Sequence, residues 1–199
     1  GYSLMKLSLK TARLGLSGLE FASGIPGSIG GAIFMNAGAY NSDMGYVVRS
    51  IRVLAPDLEV KTMYNYELDF HYRSSFLQKN PGYICLEAKI ILKPGNIDEI
   101  TELISNRRQR RMESQPLEYP SAGSVFRNPE GKSAWSLIEE IGYKGKHIGD
   151  AYVSEKHANF IINKGHAKGS DVKKLILEIQ QKVKEEKGIT LKIEQEFVE

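Results

Sequence analysis

With 199 residues and 41% hydrophobic content, the chain is long enough to bury one or two substantial cores. Its 27 basic and 24 acidic residues leave a net charge of only +3, which argues against a general nucleic-acid or membrane-surface binder and leaves any anionic ligand to a local site. The single cysteine, Cys85, excludes an internal disulfide and a cysteine metal cage and fits a reducing compartment.

In chain order, "GYSLMKLSLKTARLG" is helix-like and shows no signal-peptide pattern, and no apolar run approaches a membrane span, so the expected location is cytoplasmic. It also lacks an initiator Met and reads as the start of a fragment. "FASGIPGSIGGAIFMNAGAYN" follows, uncharged and rich in glycine. Strand-like runs come next at "YVVRSIRVLA" and "GYICLEAKIIL", with "YELDFHYRSSF" between them. From Asn96 to about Met112 the spacing of Ile97, Ile100, Leu103 and Ile104 predicts a helix, ending in the basic run "NRRQRR". "QPLEYPSAGSVFRNPEG" breaks the periodicity, which places a domain boundary near residue 112 and divides the chain into 1–112 and 113–199. Beyond it the predicted order is helix ("AWSLIEEIG"), strand ("GDAYVS"), strand ("ANFIIN"), a long helix and a last strand, "LKIEQEFV". The long helix has Ser170 or Asp171 as its cap, Val172, Leu175, Ile176, Ile179 and Val183 as its apolar face, and Gly188 as its stop.

Four places can carry chemistry. "GIPGSIGGA" lacks the dinucleotide fingerprint G-x-G-x-x-G and a preceding strand, but a tight turn opening into a helix can present N–H groups to an anion; a plain glycine turn is the alternative. Ser124 in "PSAGSVFRNP" has no histidine placed to activate it and reads as a turn serine or as a proton donor to a strong base. Arg73 in "HYRSSF" offers a guanidinium fork for a carboxylate or phosphate, or stacks on Tyr72 at the surface. Glu194 lies between apolar residues of the last predicted strand, where alternation also allows an outward-facing residue. The run Arg107, Arg108, Arg110 and Arg111 can grip nucleotide phosphate or nucleic acid, but reads first as a solvated helix end complementing the macrodipole. The four histidines show no metal-ligand spacing, so no metal is expected.

The order of "GLEFASGIPGSIGGAIFMNAGAY", "YRSSF", "QPLEYPSAGSVFRNP", "GDAYVSEKHANFIIN" and "LKIEQEF" closely resembles the UDP-N-acetylenolpyruvoylglucosamine reductase (MurB) family, of the type lacking a tyrosine-bearing loop. The resemblance implies an α+β fold, in which the second lobe of a vanillyl-alcohol-oxidase-type FAD-binding domain precedes an α+β substrate-binding domain. It implies FAD as cofactor, NADPH as co-substrate and a UDP-sugar enolpyruvyl ether as substrate, in peptidoglycan precursor synthesis, with no obligate protein partner. By matching motifs, Ser124 is the implied proton donor, Arg73 the holder of the enolpyruvyl carboxylate and Glu194 their catalytic companion. Gly24, Ile25, Pro26, Gly27, Ser28, Gly30, Gly31, Ala32 and Asn36 are implied to line the FAD diphosphate; Arg127, Asn128, His157 and Asn159 are implied to face the uridine nucleotide. Arg127 stands where the family usually has lysine, and Glu196 where a basic residue is usual. The family's first flavin lobe corresponds to sequence before Gly1, so this chain alone is expected to retain FAD poorly and to be inactive. Two other readings stand beside this one: another FAD-dependent oxidoreductase acting on a sugar or alcohol, and a noncatalytic UDP-sugar or flavin-binding fragment.

Overall fold

The computed structural model describes residues 1–198 and divides the chain into two compact units, Gly1–Arg111 and Met112–Glu199. Both mix helices with antiparallel sheet, an α+β arrangement.

The first unit opens with helix α1 (Leu4–Arg13), where the Ser3 hydroxyl accepts the Lys6 N–H as cap. Then come strand β1 (Leu16–Ser17), a 3-10 turn (Glu20–Gly24), α2 (Ile29–Phe34), the hairpin β2 (Gly38–Ala39) and β3 (Ser42–Asp43), and α3 (Met44–Val47). Strand β4 (Val48–Leu54) forms the middle of a three-stranded sheet, paired on one side with β5 (Val60–Tyr64). After a 3-10 turn (Asn65–Glu67) and the short α4 (Phe76–Lys79), β6 (Ile84–Ile90) pairs with the other side of β4. Strand β7 (Lys93–Pro94) returns to β1, and α5 (Ile97–Ser114) follows. In β4, alternation puts Ile51 and Val53 into a core with Leu4, Phe21 and Ile33, and Val48 joins it across a register shift between Val48 and Ser50.

The second unit carries β8 (Ser121–Ser124), α6 (Ala134–Glu140), β9 (His147–Ile148), β10 (Ala151–Val153), β11 (Phe160–Asn163) and α7 (Gly169–Lys187). Its sheet runs β8-β11-β10-β9, antiparallel throughout. Leu137 and Ile138 of α6 and Leu175, Ile176, Ile179 and Val183 of α7 close the core against it. Thus α7 buries four of its five predicted apolar positions, with Val172 half-buried at the rim, and Gly188 ends it at φ 69°.

Three sequence expectations change. The cap of α7 is Lys168, without a side-chain bond; Ser170 and Asp171 lie inside the first turn, where Asp171 still complements the positive helix end. The last run is no strand: Ile193 makes one antiparallel bridge, to Phe126, and the pairing extends no further than residues 125–127. Strands β5, β8 and β9 were not expected, being short or built of polar and small residues.

Candidate active site

In the first unit the 3-10 turn ends at Gly24, Ile25 and Pro26 lead on to Gly27, and Ser28 begins α2. Gly27 has φ +129°, and a Cβ placed there would meet nothing within 4 Å. It is therefore both the position whose backbone demands glycine and the open part of the turn. The first amides of α2 already have partners: Ile29 N–H donates to Tyr2 O at 2.9 Å and Gly31 N–H to Ser28 Oγ at 3.1 Å. These two bonds leave the Gly30 amide and the turn at Gly27 to face an anion. A Cβ on Gly30 would sit at an ordinary 3.7 Å from Cys85 Cβ, so steric need for glycine is weaker there. Ala32 is buried under the helix. Gly27→Val should therefore cost more cofactor than Gly30→Ala: the first adds a branched side chain in the open turn at a strained φ, the second a contact of normal length. Flavin content of the purified, folded full-length variants, read from absorbance, checks the order.

Asn36 lies beyond α2, buried and with φ 42°. Its Nδ2 donates to His71 O at 2.8 Å and its Oδ1 accepts the Gly45 N–H at 3.0 Å, so its amide ties three loops together. One of those loops carries Arg73. Arg73 has φ 53°, a left-handed conformation that costs a non-glycine residue about 1–2 kcal/mol. Its Nη2 donates to Gly38 O at 2.9 Å and its guanidinium packs over the Tyr72 ring at 5.1 Å. Stacking on Tyr72 is thus real, but the fork is also directed by β2.

In the second unit, Ser124 ends β8, exposed, opposite Phe160 of β11 and preceded by Gly123 at φ 80°. Residues 125–127 continue past β8 and receive the terminal segment. Arg127 N–H donates to Lys192 O at 2.9 Å, and Glu194 N–H donates to Val125 O at 2.8 Å. This ladder sets Glu194 one residue from Ser124, and Gln195 Nε2 adds a bond to Gly123 O at 3.2 Å.

Asn159 locks the same segment from below. Its Oδ1 accepts the Phe126 N–H at 2.9 Å and its Nδ2 donates to Phe126 O at 2.8 Å, both buried. Asn128 Oδ1 accepts the Ala134 N–H at 2.9 Å at the start of α6. Asn159 thus spends both polar atoms of its amide on the backbone of Phe126, whereas Asn128 is exposed and spends its Oδ1 on the start of α6. His157 sits half-buried between Trp135 and Phe160, its Nδ1 accepting the Asn159 N–H at 3.3 Å. Burial pushes its pKa down, so at neutral pH it is the uncharged imidazole with its proton on Nε2. Arg127 has a buried Nε with no hydrogen-bond partner among the described residues.

Residues 115–198 match the family described as UDP-N-acetylenolpyruvoylglucosamine reductase, C-terminal domain. The chain is 46% identical over 198 residues to the UDP-N-acetylenolpyruvoylglucosamine reductase of Anoxybacillus flavithermus, covering 100% of this chain and 66% of that protein. It is 47% identical to that of Agathobacter rectalis, covering 100% of this chain and 63% of the relative. The crystal structure of UDP-N-acetylenolpyruvylglucosamine reductase (MurB) from Thermus caldophilus matches with a TM-score of 0.87 and 39% identity, over 98% of this chain and 70% of that one. The chain belongs to the MurB family. It spans just under two thirds of the length of these two curated relatives.

Of the residues that the resemblance implies to be catalytic, Arg73 lies in the first unit and Ser124 and Glu194 in the second. Sequence reasoning missed the clamping roles of Asn36 and Asn159. The residue types were visible, but their backbone partners lie 35 and 33 residues away for the longest bonds, and no local pattern signals that. No group of three or more metal-ligating side chains occurs among the described residues, and no helix there is long and apolar enough to cross a membrane.

Proposed function

We propose that the chain carries the catalytic residues of a flavin-dependent reductase that converts a UDP-N-acetylglucosamine enolpyruvyl ether to the lactyl ether with NADPH, a cytoplasmic step of peptidoglycan precursor synthesis. The observation that carries this reading is the ladder of residues 192–194 on 125–127, which gathers Ser124 and Glu194 from distant parts of the sequence beside a buried asparagine clamp.

FAD fits the first unit on one ground already described: at Gly27 a Cβ would fill the open turn. On this reading Gly24, Ile25, Pro26, Gly27, Ser28, Gly30, Gly31 and Ala32 form the wall against the dinucleotide, while Asn36 braces that wall from inside. Once bound and reduced by NADPH, the flavin would supply the hydride for the terminal vinyl carbon of the substrate. Negative charge then grows on the carbon bearing the ether and the carboxylate. Arg73 holds that carboxylate through its planar fork and spreads the charge, and the Ser124 hydroxyl delivers the proton that completes the C–H bond. Glu194, paired through its backbone with Val125 next to Ser124, is their catalytic companion on this reading. In the second unit the buried, partnerless Nε of Arg127 suits an anionic nucleotide, and the neutral imidazole of His157 is a donor through Nε2.

Anaerobic mixing of the full-length protein with NADPH and then the enolpyruvyl substrate tests the reading. Bleaching of the flavin band by NADPH, recovered only on adding that substrate, is expected. Recovery with a simple sugar or alcohol would favour an oxidoreductase of the other class, and absence of bleaching a binding module. Arg73→Lys keeps the charge but loses the fork, so substrate-driven recovery should slow about tenfold or more while bleaching by NADPH stays near wild type. An unchanged recovery rate would remove Arg73 from the carboxylate.

A further inference from the structure

Gly24 reveals a cation at the base of the glycine turn. A Cβ on Gly24 would lie 2.9 Å from Arg111 Nη1 and 3.1 Å from its Cδ, so the guanidinium arm occupies the space any other side chain would need. Arg111 comes from the last turns of α5 and, unlike its exposed neighbours Arg108 and Arg110, is half-buried. Burial pushes its pKa down, the only electrostatic partner acting on it is Tyr40, and no carboxylate pairs with it among the described residues. Tyr40 is held in turn by α5: its hydroxyl donates to Arg107 O at 3.0 Å and the Arg107 guanidinium lies over its ring at 4.7 Å. Both arginines therefore converge on the glycine-rich segment, and the sequence reading of a solvated helix end does not describe Arg111.

A guanidinium withdrawn from water without a counter-charge is costly, and the cost is recovered when a ligand brings the missing negative charge. The fork also delivers paired N–H donors to phosphate-type oxygens. The position is three residues from the open turn at Gly27. We propose that Arg111 is the counter-cation for the negative charge of the flavin dinucleotide bound at this turn, an inference that rests on the FAD reading above.

The test measures FAD binding by fluorescence quenching in the full-length protein for wild type, Arg111→Met, Arg111→Lys and Gly24→Ala. Arg111→Met should weaken oxidised FAD at least tenfold and flatten the salt dependence of the wild-type affinity; Arg111→Lys should recover part of the loss. Gly24→Ala, which pushes the guanidinium aside without removing it, should show an intermediate loss. The midpoint potential separates two sources of the charge: weaker oxidised FAD at constant potential assigns Arg111 to the diphosphate, and a more negative potential assigns it to the reduced ring. Equal affinity, salt dependence and potential in folded Arg111→Met and wild type would overturn the inference and leave Arg111 as packing. Should Arg111→Met not fold, Arg111→Lys and Gly24→Ala with wild-type values would overturn it equally. A wild-type protein that takes up no FAD would instead overturn the cofactor reading.

Discussion

Ser124→Ala in the full-length protein should leave bleaching of the flavin band by NADPH unchanged and slow its recovery by the enolpyruvyl substrate by about 10²- to 10⁴-fold, the usual worth of a positioned general acid. The separation follows from where Ser124 stands. It is exposed at the end of β8, its backbone lies in the β8–β11 pairing opposite Phe160, and removing an exposed hydroxyl leaves that pairing intact. Substrate affinity should survive, because the fork of Arg73 and the nucleotide-facing residues are untouched. Ser124→Cys, more acidic at nearly the same place, should recover part of the rate. Stopped-flow absorbance resolves the two phases; equal slowing of both, or of neither, would reject Ser124 as the proton donor.

The second large effect is on stability. Asn159→Ala removes both side-chain bonds to Phe126 and leaves a buried N–H and a buried C=O without partners, at about 1–3 kcal/mol each, so a loss of about 3 kcal/mol is expected. Asn128→Ala removes one bond at an exposed position and should cost about 1 kcal/mol, in the range of a lost helix cap. Denaturant titration of both variants measures the difference. If Asn159 touched only a ligand, its replacement would leave the midpoint of the unprimed protein in place. Because Phe126 lies in the segment that receives Glu194, Asn159→Ala should also slow the substrate-dependent phase at temperatures where the protein remains folded.

The helices of this chain were legible because their apolar spacing is their main determinant. In α7 the face of Leu175, Ile176, Ile179 and Val183 is read directly from the period, and Ile100 and Ile104 of α5 likewise. Strand β4 announces itself by alternation, and β10 and β11 by short apolar runs. Strand β8 could not be read, since "SAGS" has neither pattern nor propensity and is a strand only because Phe160 and Ile162 supply its partners. The opposite error befell the last run, whose alternation is genuine but finds only a single bridge. At the candidate site the motif residues were visible, yet what their neighbours do was not. The resemblance implies ligand-facing roles for Asn36 and Asn159, and their bonds to distant backbone come only from the structure; Arg111 reads as one of four arginines at a helix end and lies against Gly24. Those distinctions depend on long-range contacts, which residue type does not encode.

The ladder that brings Glu194 to Val125 has a thermal consequence. It consists of two backbone hydrogen bonds that make a single bridge, with the fully buried Leu191 before it, the Gln195 bond to Gly123 O after it, and exposed residues from Glu196 to Val198. An element so lightly fastened opens at a lower free energy than the sheet and helices it rests on. On warming, turnover should therefore fade before helical ellipticity does, and amide exchange at 192–194 should outpace that of β11 while the rest of the unit is still folded. The temperature ceiling of the activity would then be set by a few residues of edge pairing rather than by the melting of the core.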